Sequence, residues 1–404
     1  MQAAAPTCAP KRTHLQLVEH GPAVRAFLTS EQRDALLASP AKLQLTPVPA
    51  TQDVWEVRAT RYVGVVLHGD LQVEIRPKLP IDRLVPLLAF ANGLPKPQLD
   101  LAQLHQAPDL HEVLAQLYAQ VLAKSLARGL PHDYIERDED LPTLRGRLRF
   151  TDQLRVRPHT WSPLAVRHDE FSDDIPLNQT LKAALRTLQR LPHRDPATPR
   201  SLLRWQRVLG GVSDLAPGAT RKSVTLSRLH AHLAPALELA QIILDGNSLE
   251  PESGSRSAPG FLLDLATLFE RFVRASIRQS FQLRHQQLPP PERGTFHLDH
   301  ANRIGLEPDL LWRTGPRVTL VGDVKYKRLE GEARQADLYQ LLTYAIRAGT
   351  DRAILIHATP QSRVLHRVRT DALPLSLDVV GLNLSAPLEE VHRKLAQTIR
   401  AHLA

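Results

Sequence analysis

The chain has 404 residues, 43% apolar and 23% charged, with 51 Lys and Arg against 42 Asp and Glu, a net charge of +9 and a pI near 9.9. That length and balance suit two or three folded domains and exclude a disordered polymer. The single cysteine, Cys8, excludes an internal disulfide framework and a thiolate zinc site, and no apolar run is long enough to span a bilayer. With no secretory pattern at the N-terminus, these features lead us to expect a soluble protein of a reducing cytoplasm, and the basic excess fits a polyanion such as nucleic acid.

The first hundred residues read as β-rich. Trp55 to Arg58 alternates apolar and polar side chains, and Val63-Gly-Val-Val-Leu67 is a short apolar run. After His68-Gly-Asp70, Leu71, Val73 and Ile75 fall on one strand face, so the two runs predict a hairpin. Pro77 and Pro80 end it, and a helical pattern begins at Ile81 and runs to Ala91. From about residue 110 to 250 the pattern turns mainly helical. Leu114, Leu117, Val121, Leu122 and Leu126 recur at spacings of three and four, and stretches 177–191 and 233–244 read likewise. Between them, Leu144-Arg-Gly-Arg-Leu-Arg-Phe150 alternates basic and apolar residues, predicting a strand with Arg145, Arg147 and Arg149 on one face. Such a face is either a charge-protected edge or a contact for phosphate or acidic surfaces.

The Ser/Gly/Pro run from Pro251 to Gly260 marks the clearest boundary. The expected organisation is α+β: a β-rich module over residues 1–105, a mainly helical middle domain over 106–250, and an α/β domain over 258–404. Residues 261–273 read as an apolar helix that opens this last domain and carries Glu270.

The most informative spacing lies there. Leu306-Glu-Pro-Asp-Leu-Leu-Trp312 and Val318-Thr-Leu-Val-Gly-Asp-Val-Lys-Tyr-Lys327 flank a Gly315-Pro316 turn and predict a hairpin. Asp309 sits on its first arm; on the second, alternation places Val321, Asp323, Lys325 and Lys327 on one face. Two close carboxylates in an apolar setting repel, and a divalent cation relieves the repulsion. Oxygen ligands without cysteine or a histidine pair suit Mg2+, with Mn2+ as a substitute. A cation on Asp309 and Asp323 polarises a phosphodiester and activates water, and Lys325 stands where it can orient that water or stabilise phosphoryl charge.

Pro-Asp followed by Asp-x-Lys resembles the PD-(D/E)xK nuclease motif. In the helix predicted next, Gln340 and Tyr344 share a face, and Gln-x-x-x-Tyr after Asp-x-Lys resembles the RecB-like branch, in which this helix flanks the active site. In that superfamily the opening helix often offers an acid to the metal, which makes Glu270 a third candidate ligand; the alternative is a surface glutamate paired with Arg274. Lys327 and Arg328 are candidate DNA contacts.

Thr267-Leu-Phe-Glu-Arg-Phe-Val273, Glu307-Pro-Asp309, Gly322-Asp-Val-Lys-Tyr-Lys327 and Asp337-Leu-Tyr-Gln340 together resemble the nuclease half of the McrC family, the endonuclease subunits of McrBC modification-dependent restriction systems. Gly146-Arg-Leu-Arg-Phe150, Asp169 to Asn178, and the segment from Val63 to Lys78 are similar to further elements of that family. The resemblance implies a subunit that cuts DNA while docked on a hexameric AAA+ GTPase of the McrB kind. That ring reads modified cytosine, and the subunit's N-terminal half enters it and stimulates hydrolysis. The sequence has no Gly-x-x-x-x-Gly-Lys-Ser/Thr phosphate loop, so no nucleotide is expected on this chain alone. Two other readings stay open: a non-catalytic factor bridging the ring to DNA, and a stand-alone repair or defence nuclease.

Overall fold

The computed structural model describes residues 13–39, 41–51, 53–96, 109–156, 160, 162–215, 224, 226–247, 260–291, 296–326, 335–359, 362–368 and 375–403. Two compact units result: Met1–Leu110 together with Leu249–Ala404, and His111–Ser248. No helix among the described residues is long and apolar enough to cross a membrane.

In the first unit the run at 63–67 becomes the strand Tyr62–His68, buried along nearly its whole length as a central strand should be. It pairs antiparallel with Leu71–Arg76, completing the predicted hairpin, and Thr13–Val18 adds in parallel beyond it. The fourth strand is Gly260–Asp264, antiparallel to Tyr62–His68. This corrects the helix expected over 261–273: a short apolar run satisfies either period, and pairing with an available sheet edge decides for the strand. The helix starts at Leu265 and runs to Ser280, capped by the Asp264 carboxylate, which accepts the Ala266 and Thr267 N–H groups at 3.0 and 3.4 Å. Close strand approach requires a glycine at 64, whose φ is +136° and where a Cβ would run into the Phe261 carbonyl. The segments expected as separate domains over 1–105 and 258–404 thus share one sheet. A three-stranded sheet, in the order Val24–Phe27, Val54–Arg58, Gln44–Pro47, closes a core containing Leu17, Leu28, Leu36, Val57, Val73 and Ile75. Helix Ile81–Ala91 packs on Leu265–Ser280, with the Phe90 and Phe272 rings 5.5 Å apart.

The remaining sheet of this unit has five strands in the order Leu310–Thr314, Arg317–Lys325, Arg352–His357, Leu375–Gly381, Ser362–Val368. Its two inner pairings are parallel and its two outer ones antiparallel. Helix Gln335–Ala348 makes the crossover between the first parallel pair and sets Leu341, Tyr344 and Ala345 against Val321, Ala353 and Leu355.

The second unit is mainly helical. Pro176–Gln189 packs on Ala234–Asn247 and on Ala197–Val208, and the buried Tyr118 hydroxyl of helix Leu110–Ser125 donates to the Leu181 carbonyl at 2.8 Å. It also holds a three-stranded sheet, ordered Asp133–Leu141, Leu164–Ser172, Arg147–Leu148. The strand expected over 144–150 shrinks to Arg147–Leu148, because Gly146 turns at φ +68° and helix Phe150–Val156 follows at once. Arg145, Arg147 and Arg149 therefore do not line one long face.

Candidate active site

The hairpin Leu310–Thr314 and Arg317–Lys325 turns at Gly315, whose φ of +61° suits a residue without a side chain. Its register pairs Leu310 with Gly322, so Asp309, one residue before the strand, lies opposite Asp323. The Val324 N–H donates to Asp309 Oδ2 at 2.8 Å, which locks the first carboxylate onto the strand that carries the second. The sheet closes tightly at Gly322, where a Cβ would stand 2.8 Å from both the Ile354 carbonyl oxygen and its side chain. Sequence alternation and structure agree that Val321, Asp323 and Lys325 share the face covered by helix Gln335–Ala348.

Asp323 is 1% exposed. Lys325 Nζ stands 2.6 Å from its Oδ2, an ion pair, while no directed hydrogen bond reaches that oxygen. Burial, the facing Asp309 charge and the hydrogen bond between the two carboxyl groups push Asp323 up to about 7, against the pull of Lys325. Asp309 is raised as well, by burial and by Glu270, with the Val324 N–H opposing. Burial acts to lower Lys325, but Asp323 and Asp309 together outweigh it and raise the ammonium. The Asp309 charge thus opposes ionisation of Asp323.

The other expected residues gather around this pair. Gln340 Nε2 donates to the Tyr344 hydroxyl at 2.7 Å, and that hydroxyl donates to the Glu307 carbonyl at 3.2 Å, tying the helix to the Glu-Pro-Asp segment. Burial and the Asp323 charge raise the Tyr344 hydroxyl to about 12, so it stays protonated and can donate. Glu270, on helix Leu265–Ser280, is raised by burial and feels Asp323 and Lys325, so it belongs to the same electrostatic neighbourhood. Its i+4 neighbour Arg274 is buried and donates to the Asp309 carbonyl at 3.3 Å. Arg274 thus braces the motif strand, a role sequence reading missed because only tertiary packing sets helix and strand side by side. His357 ends a core strand in register with Lys325 on the adjacent parallel strand and is 1% exposed. Lys327 and Arg328 lie outside the described residues.

The donor set suits a hard divalent cation: two opposed carboxylates, both raised by burial and repulsion, with one ammonium beside them. Among the described residues no group of three or more His, Cys, Asp or Glu side chains is already clustered to hold an ion. Such a cation would therefore take Asp309 and Asp323 first, with water completing its shell as Mg2+ commonly allows.

Fold and site together define a mixed α/β chain with a facing acid pair and a lysine at the open end of a β-hairpin. A profile of the McrBC 5-methylcytosine restriction system component family matches residues 57–358, and the chain belongs to that family. Among solved structures, the refined half-complex from the tetradecameric assembly of Thermococcus gammatolerans McrB AAA+ hexamers with bound McrC contains a chain 20% identical to this one. That match has a TM-score of 0.58 and covers 96% of this chain and 100% of that one, so the fold is shared. The cryo-EM structure of the Thermococcus gammatolerans McrBC complex contains a chain 23% identical, with a TM-score of 0.43, covering 67% of this chain and 88% of that one. No curated protein matches the chain.

Proposed function

We propose that this chain is the DNA-cleaving subunit of a McrBC-type restriction complex, hydrolysing phosphodiester bonds with Mg2+ or, as a substitute, Mn2+. The observation that carries the reading is the facing Asp309–Asp323 pair, the second acid buried, with Lys325 ion-paired to Asp323 Oδ2 at 2.6 Å. Burying like charges together is costly and is retained where the site uses them. Asp309 and Asp323 would hold the cation, with Glu270 as a third acid. When bound, the ion polarises the phosphoryl group and lowers the pKa of an attacking water.

The chain's own groups supply alignment and charge. The Val324 N–H fixes the Asp309 carboxylate. Lys325 holds a positive charge where negative charge grows on the phosphoryl oxygens. Gln340 and Tyr344 position the helix against the Glu307 carbonyl, which keeps the motif strand and the crossover helix in one arrangement. Lys327 and Arg328 act as phosphate contacts. The assembly that shares this fold holds McrC on McrB AAA+ hexamers. We extend that arrangement to this chain: it docks on an AAA+ GTPase ring, with residues 106–250 as the docking region, and the ring finds modified DNA.

The test is reconstitution with the AAA+ GTPase and a cytosine-methylated plasmid. Asp323→Ala and Lys325→Ala are expected to abolish Mg2+-dependent cleavage while the complex still assembles; continued cutting by both overturns the reading. Nicking by the isolated chain, without ring or nucleotide, would point to a stand-alone nuclease.

A further inference from the structure

The helical unit treats its arginines in two ways. On the two longer strands of its sheet they are neutralised: Arg137 pairs with Glu170 at 3.1 Å, and Arg167 pairs with Asp138 at 2.7 Å and Glu136 at 3.2 Å. Helix Ala197–Val208 carries no acid at all. Its Arg200, Arg204 and Arg207 are exposed, as is Arg190 at the end of the preceding helix, and among the described residues none of the four is ion-paired. The acids nearest in sequence are already engaged: Asp195 accepts the Ala197 N–H at 2.9 Å, and Asp214 pairs with Lys182 and Arg186.

Helix geometry concentrates these charges. Thr198, Leu202 and Trp205 are buried. At about 100° per residue, Arg200, Arg204 and Arg207 fall within an arc of roughly 60° on the opposite side, spread over about 10 Å of axis. The Gln189 side chain donates to the Gln206 side chain at 3.0 Å, holding the helix end that carries Arg190 beside the turn that carries Arg207. Like charges three and four residues apart repel, and Arg200 sits in the first turn, where the helix dipole also disfavours a cation. The Arg204 guanidinium lies 5.9 Å from the Trp205 ring centroid, and Arg207 gains from the helix C-terminus. Among the described residues, however, no acid pairs with the three charges, and a polyanion would.

We propose that the exposed face of helix Ala197–Val208 binds the phosphate backbone of duplex DNA. This deepens the reading that the chain acts on DNA by naming a surface that holds it. Guanidinium forks match phosphate oxygens in pairs, and the stripe is long enough to reach successive phosphates, spaced about 3.4 Å along the duplex axis on each strand. The exposed apolar side chains Leu203 and Val208 are separated by the arginines, so no continuous apolar patch is present to form the centre of a protein interface. Binding through this face is independent of sequence and sensitive to salt.

The experiment measures binding of the full chain to a short unmodified duplex in EDTA by fluorescence anisotropy across a salt series. The triple variant Arg200→Gln, Arg204→Gln, Arg207→Gln is expected to bind at least about tenfold more weakly at low salt, with a logarithmic salt slope shallower by roughly 2 to 3. The triple lysine variant keeps the charge and is expected to retain the slope, which separates lost contact from lost folding; should the glutamine triple not fold, Arg204→Glu alone takes its place. An unchanged slope, or no duplex binding by the wild-type chain, overturns the proposal. So does intact DNA binding combined with failure of the glutamine variant to assemble with the AAA+ ring, which would make an acidic protein the occupant. Because no cleavage is measured, a surviving nuclease alongside an unchanged slope sinks only this surface, and a shallower slope alongside cutting by Asp323→Ala sinks only the nuclease reading.

Discussion

Two β-sheets in this molecule carry acids beside bases, and they treat them in opposite ways. In the three-stranded sheet of the helical unit, exposed Asp138 is held below the usual carboxylate range by hydrogen bonds from Arg167, with Arg149 also near. In the site hairpin, Asp309 faces Asp323, both are pushed above that range, and a single lysine answers the pair. Alternating opposite charges on a wet sheet protects its edge and adds little stability. Like charges gathered in a dry place cost stability, and the proposed metal site rests on that cost.

The sharpest way to break the contrast is to neutralise one acid in each sheet. Asp309→Asn preserves the shape of the side chain, and we expect cleavage by the reconstituted complex to fall by about a hundredfold or more. Asp138→Asn should leave the cleavage rate unchanged; equal losses in the two variants would erase the distinction. A next-largest effect is expected at Gly322, where an added methyl meets the Ile354 backbone at 2.8 Å. Gly322→Ala should cost about 2–3 kcal/mol in chemical denaturation, and a neutral result would mean the strands are not so closely packed.

The pH response follows from the acid pair. Asp323 holds its proton more tightly in the folded state, at about 7 against an ordinary 3.8. Stability of the cation-free chain should therefore fall as pH rises from about 4 to about 7, the reverse of a salt-bridged carboxylate. Melting curves in EDTA should show this decline, Asp323→Asn should flatten it, and added Mg2+ should raise the melting temperature more at pH 8 than at pH 5. Identical pH slopes in wild type and variant would remove the acid pair as its source. The smallest effect belongs to the exposed sheet, where Asp138→Asn should shift the melting temperature by about a degree or less.

Much of this was legible in the residues. The hairpin around Gly315, the shared face of Val321, Asp323 and Lys325, and the i,i+4 meeting of Gln340 with Tyr344 all follow from strand and helix periods. Where sequence reading went astray, the pattern was ambiguous or broken. The apolar stretch at 261–264 fits either period and became a strand by pairing with Tyr62–His68. The basic alternation at 144–150 was cut short by the Gly146 turn. Arg274 reads in sequence only as a partner for Glu270, and its bond to the Asp309 carbonyl needs the helix and the strand to meet.

By itself, the sequence singled out the candidate site residues and the local faces on which they lie, because side-chain period is a property of a few neighbouring peptides. Only the tertiary structure decided that residues 260–264 complete the N-terminal sheet and that a buried Asp323 faces a half-buried Asp309, both with raised proton affinity. Desolvation and strand partnership depend on segments distant in the chain, and no local pattern encodes them.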